Sequence, residues 1–395
     1  MSANEYGHVL NRPSHRAHVL VLILMTALLA SLGVAQPAAA ATRLQLSVGV
    51  NTTEFYPGQS VVTYGYLKSS SGKPLGSKTV YVQRLTGSTW KSIATTKTTA
   101  TGHYRLYIRE PGGFQLRTYA KAYNGDAGVV SKTIALTRIS GTQTLEQRYE
   151  QLKPWLKEPI ASTKTGTSYG VPIRWRSYAN GALVEGGGRV YVVTGAVLKG
   201  YLSTGGTTGK LGRPISDADC YMTTDKCIQP FARGAVYYNA QSVTARKTHI
   251  AYGTGVGAEI VAAAMSQVGY REPAWQTNKY TAWNGLKTAW CGVFQSYNSA
   301  ATKNGEAIPQ VNTFEKLVAE VKRRGVTNTP RVGALIFIDF GSGNVTHTGI
   351  VTKVYSDGSM QTIEGNTVSP SDSVRQVAIK TRSPWQAEFF YIPGT

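Results

Sequence analysis

Short segments of alternating apolar and polar residues dominate the chain from residue 43 to residue 137. They include LQLSV, SVVTYGYL, KTVYVQRL, HYRLYIR and FQLRTYAKAY, and turn-forming Gly, Pro, Asn or Ser residues separate them. In HYRLYIR, Tyr104, Leu106 and Ile108 fall on one face of a strand, while Arg105 and Tyr107 point away. This pattern predicts about seven short strands that form an N-terminal β-sandwich over residues 42–137.

The composition extends this expectation to much of the chain. The 395 residues include 42 glycines and 23 tyrosines, with 42% hydrophobic and 16% charged residues, which favours turn-rich β structure over disorder or long helical bundles. The length predicts several domains. The N-terminal segment resembles bacterial immunoglobulin-like modules, which implies either a spacer or an adhesin.

The first 41 residues have the pattern of an export signal. Arg12 and Arg16 precede an apolar run from Val19 to Val34, and small residues follow up to Ala41. We therefore expect residues 1–41 to be a signal peptide, although an apolar run of this kind is also found in membrane anchors. Cleavage would lower the formal charge from +21 to +20. The expected protein is secreted or wall-associated, with no stable membrane insertion.

The strong positive charge indicates anionic partners. Nucleic acid, anionic lipid and acidic wall polymers could all respond to this charge. Because the export signal places the protein outside the cell, the basic residues are dispersed and no nucleic-acid-binding motif is present, we expect acidic wall polymers and no nucleic acid. The chain has three cysteines. Cys220 and Cys227 enclose six residues and are expected to form a disulfide outside the cell. Cys291 is then the unpaired cysteine, and three roles are open to it: a reactive free thiol, a small buried apolar residue or one half of an intermolecular disulfide.

A linker is predicted over residues 138–159, with a short helix from Leu145 to Lys153 that Pro154 and Pro159 end. A β-rich repeat region follows over residues 160–252. There YGVPI (169–173) recurs as LGRPI (211–215), and YANGALV (178–184) recurs as FARGAVY (231–237). The unequal offsets predict a loop inserted in the second unit, braced by the disulfide. These units resemble LGFP repeats, which implies wall attachment, although Arg213 and Val171 stand at the Phe position.

Helical patterns precede strand patterns from Gly257 onward, so residues 257–395 are predicted to form an α+β domain. The run WCGVF places Cys291 at a helix start, where the helix dipole favours thiolate. His347 is the single histidine of this segment and is the candidate base, because a thiol hydrolase needs an imidazole beside the sulfur. A structural role for a histidine on a strand is the alternative.

An acceptor must orient that imidazole. Glu364 and Asn366 can share one strand face if the extended conformation continues, with Glu364 as the orienting residue and Asn366 as a second polar partner or oxyanion donor. The alternative is that the sequence Glu-Gly-Asn (364–366) only forms a turn at the end of the strand. The three histidines beyond the predicted signal peptide lie in separate domains and REPAWQTNKY lacks an Asp series, so we expect no metal, no calcium and no other cofactor.

The segments KYTAWNGLKTAWCGVFQSY, RVGALIFIDFGSGNVTHTGIV and QTIEGNT resemble the CHAP family, the cysteine- and histidine-dependent amidohydrolases and peptidases. The resemblance covers residues 260–392 and implies a papain-like fold, peptidoglycan as substrate and cleavage of an amide at the glycan–peptide junction or within the peptide. Ala334 departs from the family, in which Asp is common at this position. Two alternatives are a non-catalytic wall-binding protein with an inactive domain and a general extracellular thiol protease.

Overall fold

The elements of the chain are known from a computed structural model that describes residues 42–220, 225–369 and 372–394. The predicted signal peptide lies outside the described residues. Within them the protein is multidomain and rich in β structure, with several separate sheets and few helices. None of the described helices has the length and apolar character needed to cross a membrane.

The N-terminal region consists of two sheets, as the alternation of its sequence predicts. One has the strand order β1-β4-β2 with β7 also paired to β4, and the other has the order β3-β10-β8-β5-β6 with β9 paired to β8. Buried apolar residues from both sheets, among them Val61, Leu106 and Leu116, form one core. The strands are β1 Gln45–Leu46, β2 Gly49–Val50, β3 Glu54–Phe55, β4 Val61–Lys68, β5 Thr79–Thr86, β6 Thr89–Lys97, β7 His103–Ile108, β8 Phe114–Ala120, β9 Val129–Val130 and β10 Ile134–Arg138.

The segment predicted as a linker contains a helix that packs into the molecule. This helix, α1 (Leu145–Leu156), begins with a capping box from Thr144. The prediction that Pro154 ends it was wrong, because Pro154 lies inside its last turn, where only one backbone hydrogen bond is lost. The guanidinium of Arg148 is fully buried and lies 2.6 Å from the carboxylate of Asp217.

Asp217 also accepts hydrogen bonds from backbone N–H groups of two other regions, at Ser60 (2.7 Å) and Val192 (2.6 Å). A buried charge is stable only when it is paired and hydrogen-bonded. The interactions of Asp217 therefore join α1 to the N-terminal region at Ser60 and to the central region at Val192. Helix α1 is therefore part of the packed structure and does not behave as an open connector.

The central region contains β11 Lys164–Ser168, β12 Val171–Tyr178, β13 Gly181–Gly186, β14 Arg189–Thr194, α2 Gly195–Ser203, β15 Lys226–Phe231, β16 Gly234–Asn239 and β17 Thr248–Tyr252. Strands β11 to β14 form one antiparallel sheet in sequence order, and β15 to β17 form another. Two of the hairpins correspond, because Tyr178 pairs with Gly181 as Phe231 pairs with Gly234. The recurrence of YANGALV as FARGAVY is therefore a structural repeat.

The other half of the predicted repeat was aligned wrongly. The partner of LGRPI (211–215) is LKEPI (156–160), since Ala179 N–H donates to Glu158 O as Ala232 N–H donates to Arg213 O. Lys157 and Gly212, the second residues of the two segments, both have positive φ, at 63° and 71°. The offset is 55 residues at the first pair (158 to 213) and 53 at the second (179 to 232). A large inserted loop is therefore not needed.

The expected disulfide between Cys220 and Cys227 is present, with a Cα–Cα distance of 4.0 Å. Cys227 lies on β15, and the adjacent pair Asp219 and Ile228 exchanges two backbone hydrogen bonds of 2.7 and 2.8 Å. The disulfide therefore closes a segment whose ends are already held together by backbone pairing.

Helices precede strands in the C-terminal region, as predicted. The helices are α3 Gly255–Met265, α4 Lys279–Asn284, α5 Cys291–Ala301 and α6 Phe314–Arg324, and the strands are β18 Leu335–Ile338, β19 His347–Val354, β20 Met360–Ser369, β21 Asp372–Arg382 and β22 Ala387–Tyr391. Helix α4 was not predicted, because it is short and carries no apolar periodicity. The N-cap of α6 is Thr313, whose side chain accepts a hydrogen bond from Lys316 N–H.

The C-terminal strands form an antiparallel sheet with the order β21-β20-β19-β18-β22. Buried residues of α3, α5 and α6 pack on this sheet, including Ile260, Phe294 and Leu317. The same cluster contains Ile228 and Tyr237 of the β15–β17 sheet. The second repeat and the C-terminal helices therefore share one apolar core, and this core places α5 against the middle of the sheet.

Candidate active site

Helix α5 begins at Cys291, as the sequence predicts. The first backbone hydrogen bond of the helix runs from Phe294 N–H to Trp290 O, so the N–H of Cys291 precedes the helical ladder and remains available. Cys291 is 2% exposed. A Cβ on Gly292 would lie 2.7 Å from a side-chain carbon of Leu317. Glycine at this position thus lets α6 hold the start of α5 closely.

His347 is the first residue of β19, and Glu364 lies on the neighbouring strand β20. The distance between His347 Nε2 and Glu364 Oε2 is 2.9 Å. Burial lowers the pKa of His347, but hydrogen bonds with Cys291 and Glu364, and the charges of those groups, raise this pKa more, to about 9. Since Nε2 faces Glu364, Nδ1 is the ring nitrogen left for the sulfur. The ring of His347 therefore lies between the carboxylate of Glu364 on one side and Cys291, which influences its pKa, on the other.

Arg382 completes the surroundings of Glu364 and was missed by the sequence analysis. Its Nε lies 2.7 Å from Glu364 Oε1 and a second guanidinium nitrogen donates to Oε2. Thr362 Oγ1 also donates to Oε1, at 2.6 Å. Burial raises the pKa of Glu364, but hydrogen bonds from Arg382 and His347 lower it to about 2. The carboxylate is thus ionised and fixed on both oxygens.

Two glycines create the space in which these groups meet. A Cβ on Gly349 would lie 2.6 Å from Glu364 Cγ, and a Cβ on Gly365 would lie 2.6 Å from Phe294 Cβ. Gly349 therefore makes room for the glutamate side chain beside β19, and Gly365 lets β20 approach α5. Both of these distances to an added Cβ are shorter than ordinary carbon–carbon packing distances, so neither position has room for a side chain.

Asn366 does not follow the extended geometry on which its prediction depended. Its φ is 57°, and the pairing of β20 with β21 shifts register between Glu364 and Thr367. This bulge breaks the alternation that would place Asn366 on the face of Glu364. Its Oδ1 is buried without a hydrogen-bond partner among the described residues, and its backbone oxygen accepts from Arg375 at 3.0 Å.

The aromatic residues near the candidate site are of two kinds, buried and exposed. Tyr280 and Trp290 are fully buried and stack with ring centroids 5.2 Å apart, so they serve packing and not a cleft wall. Phe340 is 51% exposed, and its ring centroid lies 6.0 Å from that of His347. The guanidinium of Arg382 lies 5.2 Å from the Phe340 ring. Phe340 is therefore a rim residue that the sequence analysis did not identify.

Ala334 occupies an apolar environment. It is fully buried in a cluster with Ile336, Val351 and Met360. A carboxylate there would need a buried hydrogen-bond partner, so alanine suits this core.

Within the parts of the chain that the structure describes, no group of three or more His, Cys, Asp or Glu side chains is arranged to hold a metal ion.

Comparison with models of known families finds a match over the C-terminal part of the chain. The model of the family described as "CHAP domain" matches residues 223–366, a range that includes Cys291, His347 and Glu364. Residues 223–366 of this chain therefore match the CHAP domain, a family whose members are typically amidohydrolases or peptidases that depend on cysteine and histidine. No curated protein matches the chain.

Solved structures with detectable similarity are distant. They include the D00-D0 domain of intimin, with 9% identity and a TM-score of 0.19, covering 25% of this chain and 50% of that chain. They also include a tetra-tandem repeat in the extending region of a large adhesion protein, with 11% identity and a TM-score of 0.19, covering 86% and 72%. The chain thus spans half the length of the intimin fragment.

Proposed function

We propose that the protein is a secreted peptidoglycan hydrolase that cuts an amide bond with Cys291 as nucleophile, His347 as acid and base, and Glu364 as orienting residue. The observation that carries the proposal is the His347 ring held 2.9 Å from Glu364 Oε2, together with the interaction of this ring with Cys291 that helps to raise the pKa of His347. A protonated imidazole next to sulfur stabilises the thiolate that attacks a carbonyl carbon.

The reaction begins when the thiolate forms a bond to the carbonyl carbon of the amide. The N–H of Cys291, at the start of α5, is the donor placed to stabilise the oxyanion. His347 then gives its proton to the leaving nitrogen, which breaks the amide bond and leaves an acyl-enzyme. Water, deprotonated by His347, adds to the acyl carbon and releases the carboxylic acid and the thiolate. Glu364 remains ionised throughout, because Arg382 holds it.

The test uses soluble muropeptides and mass spectrometry of the products. The parent should yield fragments with one new amine and one new carboxyl group, which identify the severed bond. Cys291→Ala and His347→Ala should yield none. His103→Ala removes an exposed imidazole of β7 and serves as the matched control that keeps activity. Equal product from Cys291→Ala and the parent would disprove the proposal.

The burial of Cys291, which is 2% exposed, favours a second candidate function. In this alternative the CHAP domain is inactive and the protein binds the wall without cutting it. Retention of the protein on purified wall, with no fragment released by the parent at any pH between 5 and 9, would support it. Cleavage of casein by the parent would instead indicate a general thiol protease.

A further inference from the structure

One face of the N-terminal module carries a row of exposed aromatic and basic side chains. Tyr64 and Tyr66 alternate with buried residues along β4 and are 39% and 43% exposed. On β7, which pairs with β4, Arg105 lies opposite Tyr64 and His103 lies opposite Tyr66. Exposed tyrosines are commonplace singly, but a cross-strand set of this kind forms a surface.

Neighbouring groups fix these rings. The Tyr64 ring lies against the backbone of Gly49, where an added Cβ would come within 2.8 Å of a ring atom. The centroids of Tyr64 and Trp155 are 5.5 Å apart, and those of Tyr66 and His103 are 3.9 Å apart. Rings held in this way lose little conformational freedom when a ligand binds, so they are preorganised for contact.

The row continues into a groove between the module and helices α1 and α2. Two adjoining cavities of about 500 and 520 Å³ share Arg105, Tyr107 and Trp155. No carboxylate is found among the residues that line either cavity. We define the aromatic groove by three of its rings, Tyr64, Tyr66 and Trp155, and by three cations, Lys97, Arg105 and Lys199.

We propose that the aromatic groove binds an acidic polysaccharide whose sugar rings carry carboxylates. The C–H face of a sugar packs on an exposed aromatic ring, and the amphipathic tyrosines also offer hydroxyl groups. Arg105 and the two lysines supply cations for the carboxylates, and the strong positive charge of the chain (+21) attracts the polymer from a distance. The groove is thus complementary to the ligand in both shape and charge.

A nucleic acid fits the geometry less well. Both ring pairs are tilted, with interplanar angles of 57°, so neither forms a parallel slot for a planar base. Bases bind by stacking flat on aromatic faces, whereas a puckered sugar needs contact with one face alone. The proposal does not depend on hydrolysis by Cys291, since the groove lies on the N-terminal module, α1 and α2.

The experiment measures binding of a polyuronate oligosaccharide to the full chain in a Cys291→Ala background, so that hydrolysis cannot interfere. Replacing both tyrosines (Tyr64→Ser with Tyr66→Ser) should weaken binding about tenfold, the equivalent of losing two modest aromatic contacts. Lys97→Glu with Arg105→Glu should weaken it at least as much and reduce its dependence on salt. Lys132→Glu and Tyr252→Ser change an exposed cation and an exposed ring elsewhere and should leave binding unaltered.

Three outcomes would overturn the proposal. The first is unchanged binding by the groove variants when their thermal unfolding matches that of the parent. The second is equal binding of neutral dextran, and the third is tighter binding of a single-stranded oligonucleotide than of the polyuronate. Groove variants with Cys291 restored should still cut soluble muropeptides at the parental rate, so loss of binding and loss of hydrolysis are separate results.

Discussion

Replacing Gly349 with alanine tests whether the placement of Glu364 controls the site. The added Cβ would lie 2.6 Å from Glu364 Cγ, whereas carbon atoms pack at about 3.5–4.0 Å. Glu364 must therefore move by about 1 Å, which stretches its 2.9 Å hydrogen bond to His347 beyond a useful length. A displacement of this size near reacting groups costs about a hundredfold in rate.

We expect kcat for muropeptide cleavage to fall about a hundredfold in Gly349→Ala, with KM little changed. The stability change should be small, about 1–2 kcal/mol, because alanine favours a strand over glycine and offsets part of the strain. Gly305→Ala is the matched control, since the nearest atom to its added Cβ is 4.0 Å away. Near-parental kcat in a folded Gly349→Ala protein would refute the orienting role of Glu364.

Three further predictions concern stability, each measured by urea unfolding. Arg148→Met should lower the unfolding free energy by about 3–5 kcal/mol, because Asp217 is left buried without its cation; a loss below about 1 kcal/mol would contradict this. The lowered pKa of Glu364 predicts stability that is present above pH 4.5 and lost as the pH falls towards about 2, and Glu364→Gln should remove this dependence. Replacing Cys220 and Cys227 with serine should cost about 2.5 kcal/mol for a loop of eight residues, and an unchanged midpoint would show that backbone pairing alone holds the segment.

Local patterns predicted the elements that carry the candidate site. The start of α5 at Cys291 and the strands that carry His347 and Glu364 follow from apolar periodicity and from turn residues in the sequence. Periodicity and turn residues depend only on neighbouring positions in the sequence, so they can be recognised without knowledge of the fold. The bulge at Asn366 could not be predicted in this way, because it depends on how β20 pairs with β21.

Long-range partners were also inaccessible to sequence reasoning. Arg382 lies 18 residues beyond Glu364 and meets it only because two strands pair. Phe340 reaches the site across a loop that carries no periodicity. The error in the repeat has a similar origin, because Lys157 adopts a positive φ that glycine usually provides and so concealed the match of LKEPI to LGRPI.

Helix α1 has a practical consequence for dissecting this protein. Leu156, its last residue, begins the first repeat, and the Arg148 side chain is buried against Asp217 of the second. A cut within α1 that separates Arg148 from the repeats would therefore leave Asp217 buried without its cation and expose apolar side chains that the helix covers. Gene truncations or module swaps should leave the whole helix with the repeats, at a junction before Thr144.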